Sequence, residues 1–321
     1  MMSLGTNAVS RPRRFAATIV AVLIASGALA GCTADQPDES EPTAVPTGIT
    51  PETGTAHAAI ITDYGGCDDG EREVAAMVTA WTPRIVVTAG DNTQGVAGCV
   101  PFQQSVGDYF GSFVVGPDGA ALYPVPGNHD YEDEGAGEEA YLSYFSYLEA
   151  LTDHPLWYEV ESGNVNFFML DSELVDDRMT QQRDWLREAL GRAQDEEPGD
   201  WNVVILHRPP FTSGPHEANT AMTPEAGWDY HGWGADLVVS GHQHVFEHLV
   251  VDGEPYVVAG VGASGLVRPC PTPLVSGSQG CVEGYGAVLL SASDTTLTVD
   301  YRTPDGAQGR TLRTVEITRK G

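Results

Sequence analysis

Gly127-Asn128-His129-Asp130 decides how this chain is read, because it is one of five acid- or His-bearing segments in similar positions. The others are Asp63-Tyr64-Gly65-Gly66, Gly90-Asp91-Asn92, Leu206-His207-Arg208-Pro209 and Gly241-His242-Gln243-His244. Short apolar runs at 58–61, 85–87, 203–206 and 237–239 lead into four of them, and Leu122-Tyr123-Pro124-Val125 leads into the fifth more weakly. Runs of this length, bounded by Gly and Pro, read as buried strands. The chain therefore sets oxygen and nitrogen donors at the carboxyl ends of successive strands, where open α/β sheets bind their ligands. Asp, Asn and His suit borderline divalent ions, and two Asp, three His and one Asn are more than one ion needs. The arithmetic points to two metal ions. Taken singly, each segment is weak, since Asp after a strand is often a cap or turn residue. The order of all five carries the reading.

Outward from these segments, helical patterns are few. Glu71–Trp81 places Val74, Ala75, Met77 and Val78 at helical spacing, and 138–151 is aromatic-rich with the same period. Thr180–Ala193 reads as a helix capped by Thr180 that buries Trp185, Leu186, Ala189 and Leu190. The character then changes. Residues 255–262, 286–293, 296–303 and 313–319 read as strands, with Pro304-Asp305-Gly306 as a turn between two of them. Alternating strand and helix followed by mostly strand predicts an α/β (α+β) fold, with two mixed sheets packed face to face and helices outside. No internal repeat or second linker interrupts 57–319, which reads as one domain.

The amino end stands apart. Arg11, Arg13 and Arg14 precede an apolar stretch from Phe15 to Ala30, short for a membrane span, that runs into Leu29-Ala30-Gly31-Cys32. This is similar to a bacterial lipoprotein signal, which implies removal of 1–31, acylation of Cys32 and an exported protein anchored to the outer face of the cell membrane. An ordinary secretory signal is the alternative. Residues 32–56, rich in Pro, Thr, Asp and Glu, read as a disordered tether. Cys67, Cys99, Cys270 and Cys281 remain, and in an oxidising compartment an even count suggests two disulfides. Local pairing, Cys67 with Cys99 and Cys270 with Cys281, is the expectation among three possible connectivities. With no Cys-x-x-Cys pair, a cysteine zinc site is not expected.

Sixteen basic against forty-five acidic residues give a net charge of −29. That argues against nucleic-acid backbones as partners, which demand basic patches, and fits the solubility of an exported protein.

With these residues in view, the chain resembles the calcineurin-like metallophosphoesterases over essentially all of 57–319, and within them most nearly the purple acid phosphatase branch. Asp63-Tyr64-Gly65-Gly66 in place of Asp-x-His, His216 nine positions after His207, and the run from Val258-Ala259-Gly260 through the strand at 286–293 carry that likeness. The resemblance implies a four-layer sandwich and a phosphoester substrate. It implies one metal bound by Asp63, Asp91 and His244, and a second by Asp91, Asn128, His207 and His242, with Asp91 bridging. It further implies a hydroxide between the ions as nucleophile. His129, expected to be held by Asp130, would protonate the leaving oxygen or stabilise charge. His216 would be a second donor at the pocket mouth, or else a solvated loop residue. Asn92 reads as support for a ligand or as a phosphate contact, and Arg208 as a phosphate contact or an exposed loop residue. His57, His154, His231 and His248 read as structural or surface, with a pocket-lining place for His231 as the lesser alternative.

One departure from the purple branch matters. That branch has a metal-binding Tyr three residues after the bridging Asp, where this chain has Gln94. The first metal is left with three obvious protein ligands, completed by water or by the Gln94 amide, and the ions are expected to be divalent iron, manganese or zinc. The leading function is an acid-phosphatase-like phosphomonoesterase. A phosphodiesterase or nucleotidase is the alternative at the same site, and a non-catalytic binding scaffold is a third reading from another class.

Overall fold

The computed structural model describes residues 56–114 and 121–319. The leader, Cys32 and the tether up to residue 55 lie outside the described residues. The elements run β1 (Ala56–Ile61), α1 (Asp69–Trp81), β2 (Ile85–Ala89), α2 (Gly107–Val114), β3 (Leu122–Val125), α3 (His129–Glu132), α4 (Glu138–Tyr144) and α5 (Leu148–Leu151). They continue with β4 (Tyr158–Ser162), β5 (Val165–Met169), α6 (Asp176–Glu196), β6 (Trp201–Ile205), β7 (Leu237–Ser240), β8 (Phe246–Val251) and β9 (Glu254–Ala259). The last strands are β10 (Ser278–Val282), β11 (Ala287–Ala292), β12 (Thr296–Thr303) and β13 (Arg310–Thr318).

These strands form two mixed sheets. One has the order β13-β12-β11-β1-β2-β3 and the other β10-β8-β9-β7-β6-β5-β4. In the first, β1, β2 and β3 are parallel and β11 runs antiparallel beside β1. In the second, β5, β6, β7 and β9 are parallel. Every residue of β2, β5, β6 and β7 is buried, as expected of parallel strands covered on both faces. The sheets touch through Phe246 of β8, stacked on Tyr301 of β12 at 4.8 Å between ring centroids, and through Trp201 of β6, whose Nε1 donates to Ser293 O at 2.7 Å. Truncating such a buried aromatic to Ala typically costs about 3–5 kcal/mol.

The helix at 71–81 appears as α1, capped by Asp68, which accepts from Glu71 N at 2.7 Å. The expected helix at 138–151 is instead two, α4 and α5. At 100° per residue, Tyr141 and Tyr147 would point about 120° apart on a continuous helix. The break lets both reach β3, an edge strand with unpaired carbonyls. Tyr147 donates to Leu122 O at 2.5 Å, and Tyr141 and Tyr158 donate to Pro124 O at 2.9 and 2.7 Å. The α6 helix starts at Asp176, so Thr180 lies inside it and is not its cap. Gln182 is buried there as well, because its amide bonds both Asp171 N and Asp171 O. The β8–β9 hairpin turns on Asp252-Gly253, both at positive φ, the conformation that Asp-Gly favours. The disulfides are Cys67–Cys99 and Cys270–Cys281.

Candidate metal centre

Asp63, Asp91 and Asn128 follow β1, β2 and β3 in one sheet, while His207, His242 and His244 follow β6 and β7 in the other. The six side chains meet where the two sheets' carboxyl ends face each other. Asp63, Asp91 and His244 bring ligand atoms within 4.8 Å of one another, and so do Asp91, His207 and His242. Asp91 belongs to both groups.

The local backbone is strained to do this. Asp63, Asp91, His242 and His244 all lie in the left-handed region, at φ of 50°, 51°, 71° and 57°. Such residues cost on the order of 1–3 kcal/mol each and persist where their surroundings dictate them. Here the surroundings are hydrogen bonds: Asp63 N to Gly90 O at 3.1 Å, His242 N to Asp63 Oδ2 at 2.9 Å, and His129 N to Asp91 Oδ1 at 3.0 Å. Two glycines are required by close approach. A Cβ at Gly127 would fall 2.2 Å from Asp91 Oδ1, and one at Gly241 would fall 1.9 Å from Thr62 Oγ1.

The donor set is built for a cation. His207 Nδ1 lies 2.9 Å from Ala89 O and His244 Nδ1 lies 2.8 Å from Leu266 O. A carbonyl only accepts, so each Nδ1 carries the hydrogen and each Nε2 of a neutral ring presents a lone pair inward. His207 Nε2 then faces Asp91 Oδ1 at 3.2 Å, His242 Nδ1 at 3.2 Å and Asn128 Oδ1 at 3.3 Å. His244 Nε2 faces Asp63 Oδ1 at 3.1 Å, and that buried oxygen has no hydrogen-bond partner. Lone pairs converging in this way call for a positive charge between them. The titration of the groups points the same way. Burial disfavours a charged His207, yet the Asp91 carboxylate outweighs it and lifts the imidazole to about 10. Burial and then the His207 charge push His242 down to about 2. Burial opposes ionisation of Asp63, but the His244 charge holds its carboxyl well below the usual range. Bound divalent ions would take the place of these protons.

The flanking residues divide differently from expectation. His129 does not pair with Asp130. Its Nδ1 lies 2.9 Å from Asp133 Oδ1, and its ring is partly exposed beside the site. Asp130 is fully buried and accepts from Gly127 N, Asn92 N, Asn92 Nδ2 and Thr93 N at 2.8–3.2 Å, so it knits the loops after β2 and β3 and cannot touch a substrate. Burial, then the Asp91 charge, raise its carboxyl to about 7. Asn92 is not a phosphate contact either. It is buried, its Oδ1 accepts from Tyr64 and Thr88 hydroxyls, and its amide donates to Val125 O and Asp130. Arg208 stands at the rim, its Nε on the Glu173 carboxylate at 2.8 Å and its Nη1 3.2 Å from His242 Nε2. The His216 ring lies 4.7 Å from that of His242 and 5.9 Å from that of His244. Gln94 Nε2 donates to Asp91 Oδ2 at 3.3 Å, which sets its amide beside the carboxylate shared by both groups. His231 lies away from the site. It packs on Tyr256 and beside Glu254, at the start of β9 and so at the opposite end of the sheet. Sequence reasoning missed Asp133, whose one signal was its place four residues after His129.

Two mixed sheets with candidate ligands gathered at their facing carboxyl ends give this site the form of a metal centre. Residues 56–246 match the family model described as calcineurin-like phosphoesterase, and the chain belongs to that family. Purple acid phosphatase 15 of Arabidopsis thaliana is 28% identical over 172 residues, which are 49% of this chain and 32% of that protein. Purple acid phosphatase 18 of the same plant is 30% identical over 129 residues, 38% of this chain and 29% of that protein. These matches thus span about a third of the length of the curated relatives. Among solved structures, GAP50, the anchor in the inner membrane complex of Plasmodium, superposes with a TM-score of 0.65 at 16% identity, covering 83% of this chain and 90% of that one. A purple acid phosphatase from yellow lupin (Lupinus luteus) seeds gives 0.62 at 16% identity, over 84% of this chain and 54% of that one. A dimetal phosphatase from Danio rerio gives 0.58 at 13% identity, over 82% and 98%. All three share the fold.

Proposed function

We propose that this chain is a dinuclear-metal-dependent phosphoester hydrolase, and most specifically a phosphomonoesterase. The observation that carries the reading is the double set of converging lone pairs, with Asp91 common to both sets. Asp63, Asp91 and His244, with Gln94 beside them, would hold one divalent ion, and Asp91, Asn128, His207 and His242 the other. When bound, the ions supply Lewis acidity and lower the pKa of the attacking water.

The chain's own residues supply the rest. His129, held by Asp133, donates a proton to the leaving oxygen from the exposed side of the cluster. The His216 ring, 4.7 Å from that of His242 and 5.9 Å from that of His244, stands where it can donate a hydrogen bond to the ester. Arg208, anchored by Glu173, offers its remaining N–H groups at the rim to a phosphoryl oxygen. Asp130 and Asn92 support the loops from beneath. A full complement of donors argues against a scaffold without catalysis. The test is elemental analysis followed by assay on chromogenic mono- and diesters. Two ions per chain and preference for the monoester are expected. Preference for the diester would move the reading to a phosphodiesterase, and no turnover by the metal-loaded protein would overturn it.

Export and anchoring through an acylated Cys32 complete the proposal. They rest on Arg11, Arg13 and Arg14, the apolar stretch and Leu29-Ala30-Gly31-Cys32. Mass spectrometry should find a mature amino terminus at Cys32 carrying acyl chains, and a terminus elsewhere would refute it.

A further inference from the structure

Gln243 stands between the candidate ligands His242 and His244, and its side chain is fully buried. Neither ligand needs it. Its amide is instead committed to one residue of another loop. His216 N donates to Gln243 Oε1 at 2.9 Å, and Gln243 Nε2 donates to His216 O at 3.1 Å. A reciprocal pair of bonds to both polar groups of one residue fixes the orientation of its backbone, and with it the direction in which the side chain leaves. A buried amide left without these partners would cost about 1–3 kcal/mol, so the pairing is strongly held. The loop also passes close. A Cβ at Gly214 would fall 2.1 Å from Gln243 Oε1.

A second buried group anchors the same loop. Glu247 is fully buried and accepts from Ser213 N at 2.8 Å, Ser213 Oγ at 2.6 Å and Thr212 Oγ1 at 3.3 Å. It follows His244 by three residues, so the chain that provides two candidate ligands also grips the His216 loop at two points.

We propose that Gln243 is a positioning residue. It sets the His216 ring over the metal centre and couples that ring to the ligand-bearing loop, with Glu247 holding the loop behind it. The proposal rests on the reading of His216 as a donor to the ester.

The test uses the full-length, metal-loaded protein with the near-isosteric change Gln243→Met, alone and combined with His216→Ala. Two hydrogen bonds of ordinary strength correspond to roughly 30-fold in kcat/KM. The expected result is that loss in the Gln243→Met single variant, with two ions still bound, and no added loss in the His216→Ala background. An equal loss in both backgrounds, or loss of a metal ion, would overturn the proposal. Hydrogen exchange across 212–217 gives a reading independent of chemistry. It should speed up in Gln243→Met, and unchanged exchange would also overturn it. If His216→Ala is fully active, the donor role of His216 falls, while the exchange measurement still decides whether Gln243 orders the loop. Should Gln243→Met fail to fold, Gly214→Ala presses on the same contact from the loop side and is expected to give the same pattern.

Discussion

His129 Nδ1 lies 2.9 Å from the Asp133 carboxylate, one turn further along, and its backbone N–H is bound to Asp91 Oδ1 at 3.0 Å. Burial works against a charged imidazole there, but the Asp91 charge and the Asp133 hydrogen bond outweigh it and raise His129 above its ordinary range. On the proposed function, a group so placed would be the proton donor. His129→Ala should retain both ions and lower kcat by about 10²–10⁴ for esters with poor leaving groups, with a smaller loss for good ones. A uniform loss across leaving groups would show charge stabilisation instead. An acid works in its protonated form, so activity is present below the raised pKa and falls as pH rises through it. Asp133→Asn removes a bond that raises that pKa, so the alkaline limb of the kcat profile should move to lower pH.

Asp91 is the one carboxylate common to both ligand groups. Asp91→Ala should therefore lose ions from both positions and all measurable activity, whereas Asp63→Ala should lose one ion. Elemental analysis of the purified variants checks this. Two ions and a near-normal rate in Asp91→Ala would show that the residue is only a turn.

Gln94 stands 3.3 Å from Asp91 Oδ2, where a ferric–phenolate bond would require a Tyr. A neutral amide brings no charge to offset a trivalent ion. The protein purified with its native metals should therefore be colourless. Gln94→Tyr reconstituted with ferric iron should gain an intense visible band, and an absorption spectrum of each form decides it.

Glu71, on α1, accepts from Cys67 N at 2.6 Å through one oxygen, while the other is buried without a hydrogen-bond partner. Burial pushes this carboxyl from 4.5 up to about 9. Because the folded value is the higher one, the group's stabilising contribution is complete below 4.5 and is lost as pH rises toward about 9. Within that window the slope is about 1.4 kcal/mol per pH unit. Glu71→Gln is neutral throughout. Denaturation curves at acid and alkaline pH should show the variant gaining on the parent protein as pH rises, and a constant difference would place the group in its ionised form.

The strand-then-ligand order was legible because each apolar run is short, bounded and followed by a residue able to donate a lone pair. That was enough for the two-sheet fold and for the placement of Asp63, Asp91, Asn128, His207, His242 and His244 in one cluster. The partner of His129 was not legible in the same way. Adjacency suggested Asp130, but on a helix the next residue points about 100° away and the fourth returns to the same face. Between the two readings of Asn92, loop support and phosphate contact, the sequence could not choose, because a polar residue's burial depends on distant partners, here the Tyr64 hydroxyl and Val125 O. The β8–β9 hairpin was there to be read in Asp252-Gly253, whereas the break between α4 and α5 depends on an edge strand that no local pattern announces.

The candidate ligands are divided between two sheets, and this sets a sequence of events. Asp63, Asp91 and Asn128 are synthesised long before His207, and the last donor stands at residue 244. The early half of the chain holds two carboxylates and an amide, too few donors to choose among divalent ions. No ion can be captured in its final coordination until the second sheet has closed against the first. Loading of the proposed ions would then be a late event, and the metal would be chosen by the surroundings in which folding finishes rather than by those in which synthesis began.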